Sequence, residues 1–333
     1  MLFTRHPENP IVTAGGPAWR RCAVYNPGVI RDEDGAFYML ERSTPCLRPF
    51  YSDFGLLRSG DGVHFELVGD EPVFTAAGIG FPEGSLQDPR IVRIDGTFYM
   101  TYVLRRIAGD CYPTGLGPHR YLRREALLDE DDVNTSRSGI AASEDMVHWQ
   151  HLTWVGPRDL DDRDNVLFPR KIGGRFAMLR RPLTHVGPEH GTEAPAMWIS
   201  YSDDLKEWSE PELLAGPQRA WEGKKMGAAA PPIETSEGWL TTYHAVDRDS
   251  VYRMGLMLLD AEDPSRVLAR TAEPVLEPRE YYERFGAVIP NVIFPTGNVL
   301  VDGTVYLYYG VCDTAIALAT APLEALLEHL RTA

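Results

Sequence analysis

Apolar and polar residues alternate along short stretches of this chain, and the alternation restarts after each of a series of tight turns. Phe37-Tyr38-Met39-Leu40 follows Asp34-Gly35, Phe98-Tyr99-Met100 follows Asp95-Gly96, and Phe176-Ala177-Met178-Leu179 follows Gly173-Gly174. Further on, Trp239-Leu240 follows Glu237-Gly238, and Val305-Tyr306-Leu307-Tyr308-Tyr309 follows Asp302-Gly303. Asp-Gly and Gly-Gly pairs tolerate the positive φ angles of a hairpin turn, so each copy predicts a strand leaving such a turn. The five copies lie about 60 to 80 residues apart, each with room for several short strands. That repeat predicts an all-β fold, a five-bladed β-propeller. Ser59-Gly60-Asp61, Ser143-Glu144-Asp145 and Ser202-Asp203-Asp204, followed by Phe65, Trp149 and Trp208, predict one shared hairpin after the third strand of three copies.

The repeat runs from end to end, so residues 1–333 are expected to form a single propeller domain. Two departures stand out. From Arg105 to Ser138 no period is sustained, and a loop of that length in a compact domain is either a solvated excursion or functional, through a ligand contact or contact with a second copy in a homo-oligomer. Within it, Arg123 to Leu128 suits a short helix, and Asp129-Glu130-Asp131-Asp132 is an acidic run. At the other end, Leu323, Leu326, Leu327 and Leu330 recur at helical spacing, which predicts an amphipathic helix over residues 322–331.

Composition narrows the classes of function. The net charge of -15 would meet a nucleic-acid backbone with a repelling field, so no nucleic-acid partner is expected. Any anionic ligand then requires a local cluster of basic side chains. Residues 1–6 lead into Pro7-Glu8 rather than an apolar run, and no segment approaches a membrane span, so a cytoplasmic protein without a membrane partner is expected. Cys22, Cys46, Cys111 and Cys312 lack CxxC spacing and are expected as buried free thiols. His119, His148, His151, His185 and His190 lack ligand spacing, so no metal is expected.

The repeat also supplies a functional expectation. Five residues on from the aligned strand starts stand Arg42, Val103, Arg181, His244 and Gly310. Equivalent positions in a propeller surround one axis, so Arg42, Arg181 and His244 should converge on the central funnel. Arg163 and Lys225, from the segments leading into the third and fourth copies, should join them. Like charges at close quarters are costly without compensation, and an anion supplies it. Asp88, with Asn26 in the corresponding place one copy earlier, adds a carboxylic acid at the same mouth. An acid beside a bound anion suits displacement at a glycosidic carbon. An inverting hydrolase needs a second carboxylate to activate water, whereas phosphate attacks without one.

Gln87-Asp88-Pro89-Arg90-Ile91, Asp162-Arg163-Asp164-Asn165-Val166-Leu167-Phe168-Pro169, Arg181-Pro182, Lys225-Met226-Gly227, Tyr243-His244 and Tyr308-Tyr309-Gly310 with Asp313 together resemble glycoside hydrolase family 130. These are the β-mannoside phosphorylases and related mannosidases. The resemblance implies an inverting attack by inorganic phosphate, as co-substrate and without a further cofactor, on a small β-mannoside or manno-oligosaccharide. The products would be α-mannose 1-phosphate and a shortened sugar. It implies Asp88 as general acid, Arg163, Arg181, Lys225 and His244 as phosphate ligands, and Asn26, Arg42, Asp313 and Tyr243 at the mannose. The sequence departs from the family pattern at Gln87, Arg170, Ala245 and Glu41. Two other readings are a β-mannoside hydrolase on the same scaffold, with Asp161, Asp162 or Asp164 activating water, and a non-catalytic sugar-binding propeller.

Overall fold

In a computed structural model of the chain, which describes residues 2–110 and 136–333, the five turns open the second strand of five separate antiparallel sheets. Blade one is β2 (Ala23–Arg31), β3 (Phe37–Thr44), β4 (Asp53–Ser59) and β5 (Glu66–Leu67). Blade two is β6 (Ser85–Ile94), β7 (Thr97–Arg105), β8 (Ser136–Ser143) and β9 (Gln150–Trp154). Blade three is β10 (Asp162–Leu167), β11 (Phe176–Pro182), β12 (Met197–Ser202) and β13 (Glu212–Ala215). In blade four the inner strand is broken into β14 (Lys225–Ala228) and β15 (Ile233–Thr235), both paired to β16 (Gly238–Val246), with β17 (Tyr252–Leu259) and β18 (Val267–Arg270) outside. Blade five is β19 (Ile293–Val301), β20 (Thr304–Val311) and β21 (Ala315–Pro322), completed by β1 (Thr4–Arg5) from the other end of the chain.

Apolar side chains of each blade pack against the next, as the alternation requires. Leu40, Phe54 and Leu56 of blade one meet Leu86, Ile91 and Met100 of blade two, and Phe168 and Leu179 of blade three meet Met226 and Trp239 of blade four. Each such side chain taken from water contributes about 1.5–3 kcal/mol. The three shared hairpins have one chemistry. Asp61, Asp145 and Asp204 each accept from the two backbone N–H groups that follow, Val63 and His64, Val147 and His148, Lys206 and Glu207. The C-terminal helix α2 (Leu323–Arg331) buries Leu326, Leu327 and Leu330 against β17, β18 and β21. Among the described residues the other α-helix, α1, is the single turn Tyr281–Arg284.

Some expectations need correction. The segment ahead of Pro7, for which no element is expected, supplies the outer strand of blade five, Thr4 pairing with Thr320 and Arg5 with Ala319. The long excursion is shorter than expected, since β8 begins at Ser136; Cys111, His119, the Arg123–Leu128 helix and the Asp129–Asp132 run lie outside the described residues. Cys312 is buried, whereas Cys22 and Cys46 are only half-buried, because they stand where blade one meets the surface. Among the described residues no helix is long and apolar enough to cross a membrane.

The closure of the ring rests on Glu283. Its buried carboxylate accepts from Arg5 Nε at 2.7 Å, Arg5 Nη2 at 2.8 Å, Tyr309 Oη at 3.0 Å and two backbone N–H groups at the start of α1. Removing it strips the half-buried Arg5 guanidinium of its carboxylate and takes the acceptor from the buried Tyr309 hydroxyl. Glu283→Ala is expected to cost about 3 kcal/mol or more of stability, read as a lower denaturant midpoint; an unchanged midpoint would show that the strand from Arg5 adds nothing to the ring.

Candidate active site

The inner strands of the first three blades share a local fault that aims short polar side chains at the axis. Their pairing with the second strand slips between Tyr25 and Gly28, between Gln87 and Arg90, and between Arg163 and Val166. At each slip one residue adopts a left-handed conformation: Asn26 (φ 45°), Asp88 (φ 53°) and Asp164 (φ 52°). Asn and Asp enter that region more easily than other side chains, and a bulge re-aims the side chain it carries. Two glycines on neighbouring blades make room. A Cβ on Gly310 would overlap Asn26 Oδ1, and one on Gly227 would overlap Asp164 Oδ2.

These bulges border a cavity of about 370 Å³ lined by Asn26, Arg42, Asp88, Arg163, Arg181, Lys225 and Asp313, within the range of small-ligand sites. Phe50, Gln87, Arg105, Tyr252, Ile289 and Phe294 complete much of the wall. On the side of blades one and two, Asp88 Oδ1 accepts from Asn26 Nδ2 at 2.8 Å and from Arg42 Nη1 at 3.0 Å. Asp88 Oδ2 has no partner among the described residues. Arg42 is fixed from behind, donating to Ser52 Oγ at 3.0 Å and lying 4.6 Å over the Tyr25 ring. Asp313 feels both Asp88 and Arg42; burial, with Asp88 adding to it, pushes its carboxyl up to about 6 against the pull of Arg42 and Lys225.

Blades three and four supply the cations. Arg163 is gripped by Asp161 through Nε at 2.8 Å and Nη2 at 3.0 Å. Arg181 donates from Nε to Asp164 Oδ2 at 2.5 Å. Lys225 Nζ lies 5.0 Å over the Tyr252 ring and has no carboxylate within ion-pair distance among the described residues. Burial, reinforced by Arg181 and Arg163, brings the Lys225 ammonium down to about 7, although Asp164 works the other way. A buried ammonium of that kind becomes more strongly cationic once an anion joins it.

The structure moves two expected ligands off the wall. Along β16 successive side chains face opposite neighbours, so Tyr243 and His244 cannot share a role. Tyr243 points into the core between blades three and four, donates to Glu222 Oε1 at 2.9 Å and stacks on Trp221, and it does not line the cavity expected to hold the mannose. His244 is fully buried behind the cavity, its ring centroid 4.5 Å from that of Phe294 and Nε2 3.4 Å from Asp164 Oδ2. Burial first, then Arg181 and Lys225, lower its ring to about 3, so it is neutral. Arg163 and Lys225 sit on the inner strands themselves, not on loops before them. The departures at Glu41 and Arg170 lie away from the cavity, in ion pairs with Arg20 and Glu234. Among the described residues no group of three or more His, Cys, Asp or Glu side chains could hold a metal ion.

The family model described as beta-1,4-mannooligosaccharide phosphorylase matches residues 4–332. A 1,2-beta-oligomannan phosphorylase from Thermoanaerobacter sp. is 38% identical over 312 residues, 92% of this chain and 92% of that protein. A beta-1,4-mannooligosaccharide phosphorylase from Ruminococcus albus is 32% identical over 344 residues, covering 99% of this chain and 91% of that one. The solved beta-1,2-mannobiose phosphorylase from Listeria innocua, in complex with beta-1,2-mannobiose, has the same fold, with a TM-score of 0.80 over 100% of both chains at 23% identity.

Proposed function

Because this chain belongs to glycoside hydrolase family 130, we propose that it is an inverting phosphorylase of β-linked manno-oligosaccharides. A phosphate oxygen attacks C1 of the terminal mannose, the C1–O bond to the leaving sugar breaks, and Asp88 delivers a proton toward the departing oxygen, directly or through a mannose hydroxyl. The hydrogen carried by HPO4 restores the acid, so atoms and charge balance. The products are α-mannose 1-phosphate and an oligosaccharide shorter by one mannose. Asn26, Arg42 and Asp313 hold the mannose beside the acid, and Arg163, Arg181 and Lys225 hold the nucleophile.

The observation that carries this reading is the meeting of three cations from blades three and four beside a single partly free carboxylate from blade two. A hydrolase would need a second carboxylate free to activate water. The candidates in the aspartate-rich stretch are engaged, Asp161 by Arg163, Asp162 by Arg180 at 2.7 Å and Asp164 by Arg181, which leaves Asp313 as the other carboxylate on the wall, and the phosphate dependence of the rate decides whether it serves water or holds the sugar. Initial rates on β-1,2- and β-1,4-mannobiose with phosphate varied test the proposal. Cleavage saturable in phosphate is expected on at least one linkage. Release of mannose at a rate indifferent to phosphate would make the protein a hydrolase, and no turnover of either would leave a sugar-binding propeller.

Lys225 gives the phosphate site a pH dependence with a definite sign. Its ammonium is lost as pH rises through about 7 in the free protein, so KM for phosphate should climb between pH 7 and 9, by roughly tenfold per pH unit at most. Lys225→Arg keeps its charge and should flatten that climb; the same slope in both proteins would assign the titration elsewhere.

A further inference from the structure

From the pattern of bulges we infer that Asp164 is a positioning residue for the anion site, one that acts by fixing Arg181 and Arg90 in place. This inference rests on the phosphorylase reading and concerns its nucleophile. Asp164 occupies in blade three the position that Asp88 occupies in blade two, on the same left-handed bulge. Unlike Asp88, it is almost fully buried at 2% exposure and is spoken for on both oxygens. Oδ2 takes Arg181 Nε at 2.5 Å and lies 3.4 Å from His244 Nε2; Oδ1 takes Arg90 Nη2 at 3.3 Å. With His244 neutral, the two guanidiniums hold this carboxyl well below the usual range against the burial that would raise it. A carboxylate so held is permanently charged and unsuited to passing protons.

Arg90 extends the arrangement to the acid. Its Nη1 donates to the backbone oxygen of Asp88 at 3.0 Å and its Nε to Ala229 O at 2.8 Å, so one side chain joins the bulge of the acid, Asp164 and the start of blade four. Gly227 shapes the socket from blade four: a Cβ there would overlap Asp164 Oδ2 and lie 2.8 Å from Arg181 Nε. Around the site stand four cations, Arg90, Arg163, Arg181 and Lys225, against two carboxylates, Asp161 and Asp164. Positive charge exceeds negative on this side of the cavity, as an anion site requires. Each carboxylate orients an arginine while trimming that field.

Charge and position predict opposite results for Asp164→Asn. Charge alone makes the site more positive and phosphate binding tighter. Positioning predicts the reverse, because the amide cannot hold both guanidiniums, and outer partners of a ligand-binding group commonly matter by roughly 10- to 100-fold. The test is calorimetric titration of inorganic phosphate into the free proteins, with thermal melts alongside. The expected result is a dissociation constant raised roughly 10- to 100-fold in Asp164→Asn, with KM for the mannoside changed less than about twofold. Gly227→Ala displaces the carboxylate without altering charge and should weaken phosphate in the same direction; it decides the matter if Asp164→Asn does not fold. Equal or tighter phosphate binding in the variants would overturn the inference, as would wild-type protein that binds no phosphate. Wild-type protein that binds phosphate yet cleaves mannosides without using it would instead sink the phosphorylase reading and leave the variants to judge Asp164.

Discussion

Asp88→Asn is expected to lower the rate of mannoside phosphorolysis by about 1,000-fold, within the usual span of a lost general acid, while the melting temperature stays close to that of the parent. The reason lies in how the carboxylate is held. Both of its partners, Asn26 Nδ2 and Arg42 Nη1, donate to Oδ1. An asparagine keeps an oxygen there, so the bulge and its two hydrogen bonds survive. What changes is the second oxygen, which becomes an amide unable to release a proton on the timescale of turnover. A substrate whose leaving group needs little protonation, such as an aryl β-mannoside, should recover much of the lost rate in the variant. Equal loss on both substrates would make Asp88 a structural residue, and near-normal rates on the natural linkage would remove it from the chemistry.

Arg181→Ala is expected to raise KM for phosphate by at least about 30-fold, the lower end of what truncating one member of a buried charge pair costs, with KM for the mannoside nearly unchanged. Arg181 lines the cavity and is also the closest partner of Asp164. Its loss therefore removes a contact to the anion and leaves a buried carboxylate with Arg90 and a neutral histidine. Initial rates with each substrate varied in turn decide it. A change confined to the mannoside would place phosphate on some other part of the wall.

Much of this was readable before any coordinates, because it follows from short-range patterns. Asp34-Gly35 and its four counterparts mark hairpins, the residue five places past the strand start marks the cavity wall in blades one and three, where Arg42 and Arg181 stand, and Leu323 to Leu330 mark the helix that docks on blades four and five. What was hidden depends on side-chain direction or on pairing across the whole chain. Tyr243 and His244 are adjacent in sequence, but strand alternation sends them to opposite faces, and neither reaches the cavity wall. Thr4 and Arg5 form a strand too short to carry a period, and its partner lies more than 300 residues away. Asp164 sat in an aspartate-rich stretch that reads equally as turn chemistry. The signal that could have singled it out was present: Asn26-Pro27, Asp88-Pro89 and Asp164-Asn165 each stand two or three residues into an inner strand, an alignment visible once the blades are superposed.

The central claim is that inorganic phosphate, held by cations from blades three and four, attacks the sugar in place of water. Following the reaction by phosphorus and proton NMR tests it most directly, with a manno-oligosaccharide and excess phosphate as reactants. The account predicts one phosphate consumed per linkage broken, with the α anomer of mannose 1-phosphate as the first product and inversion therefore complete. Free mannose as the first product, with the phosphate signal unchanged, would contradict it.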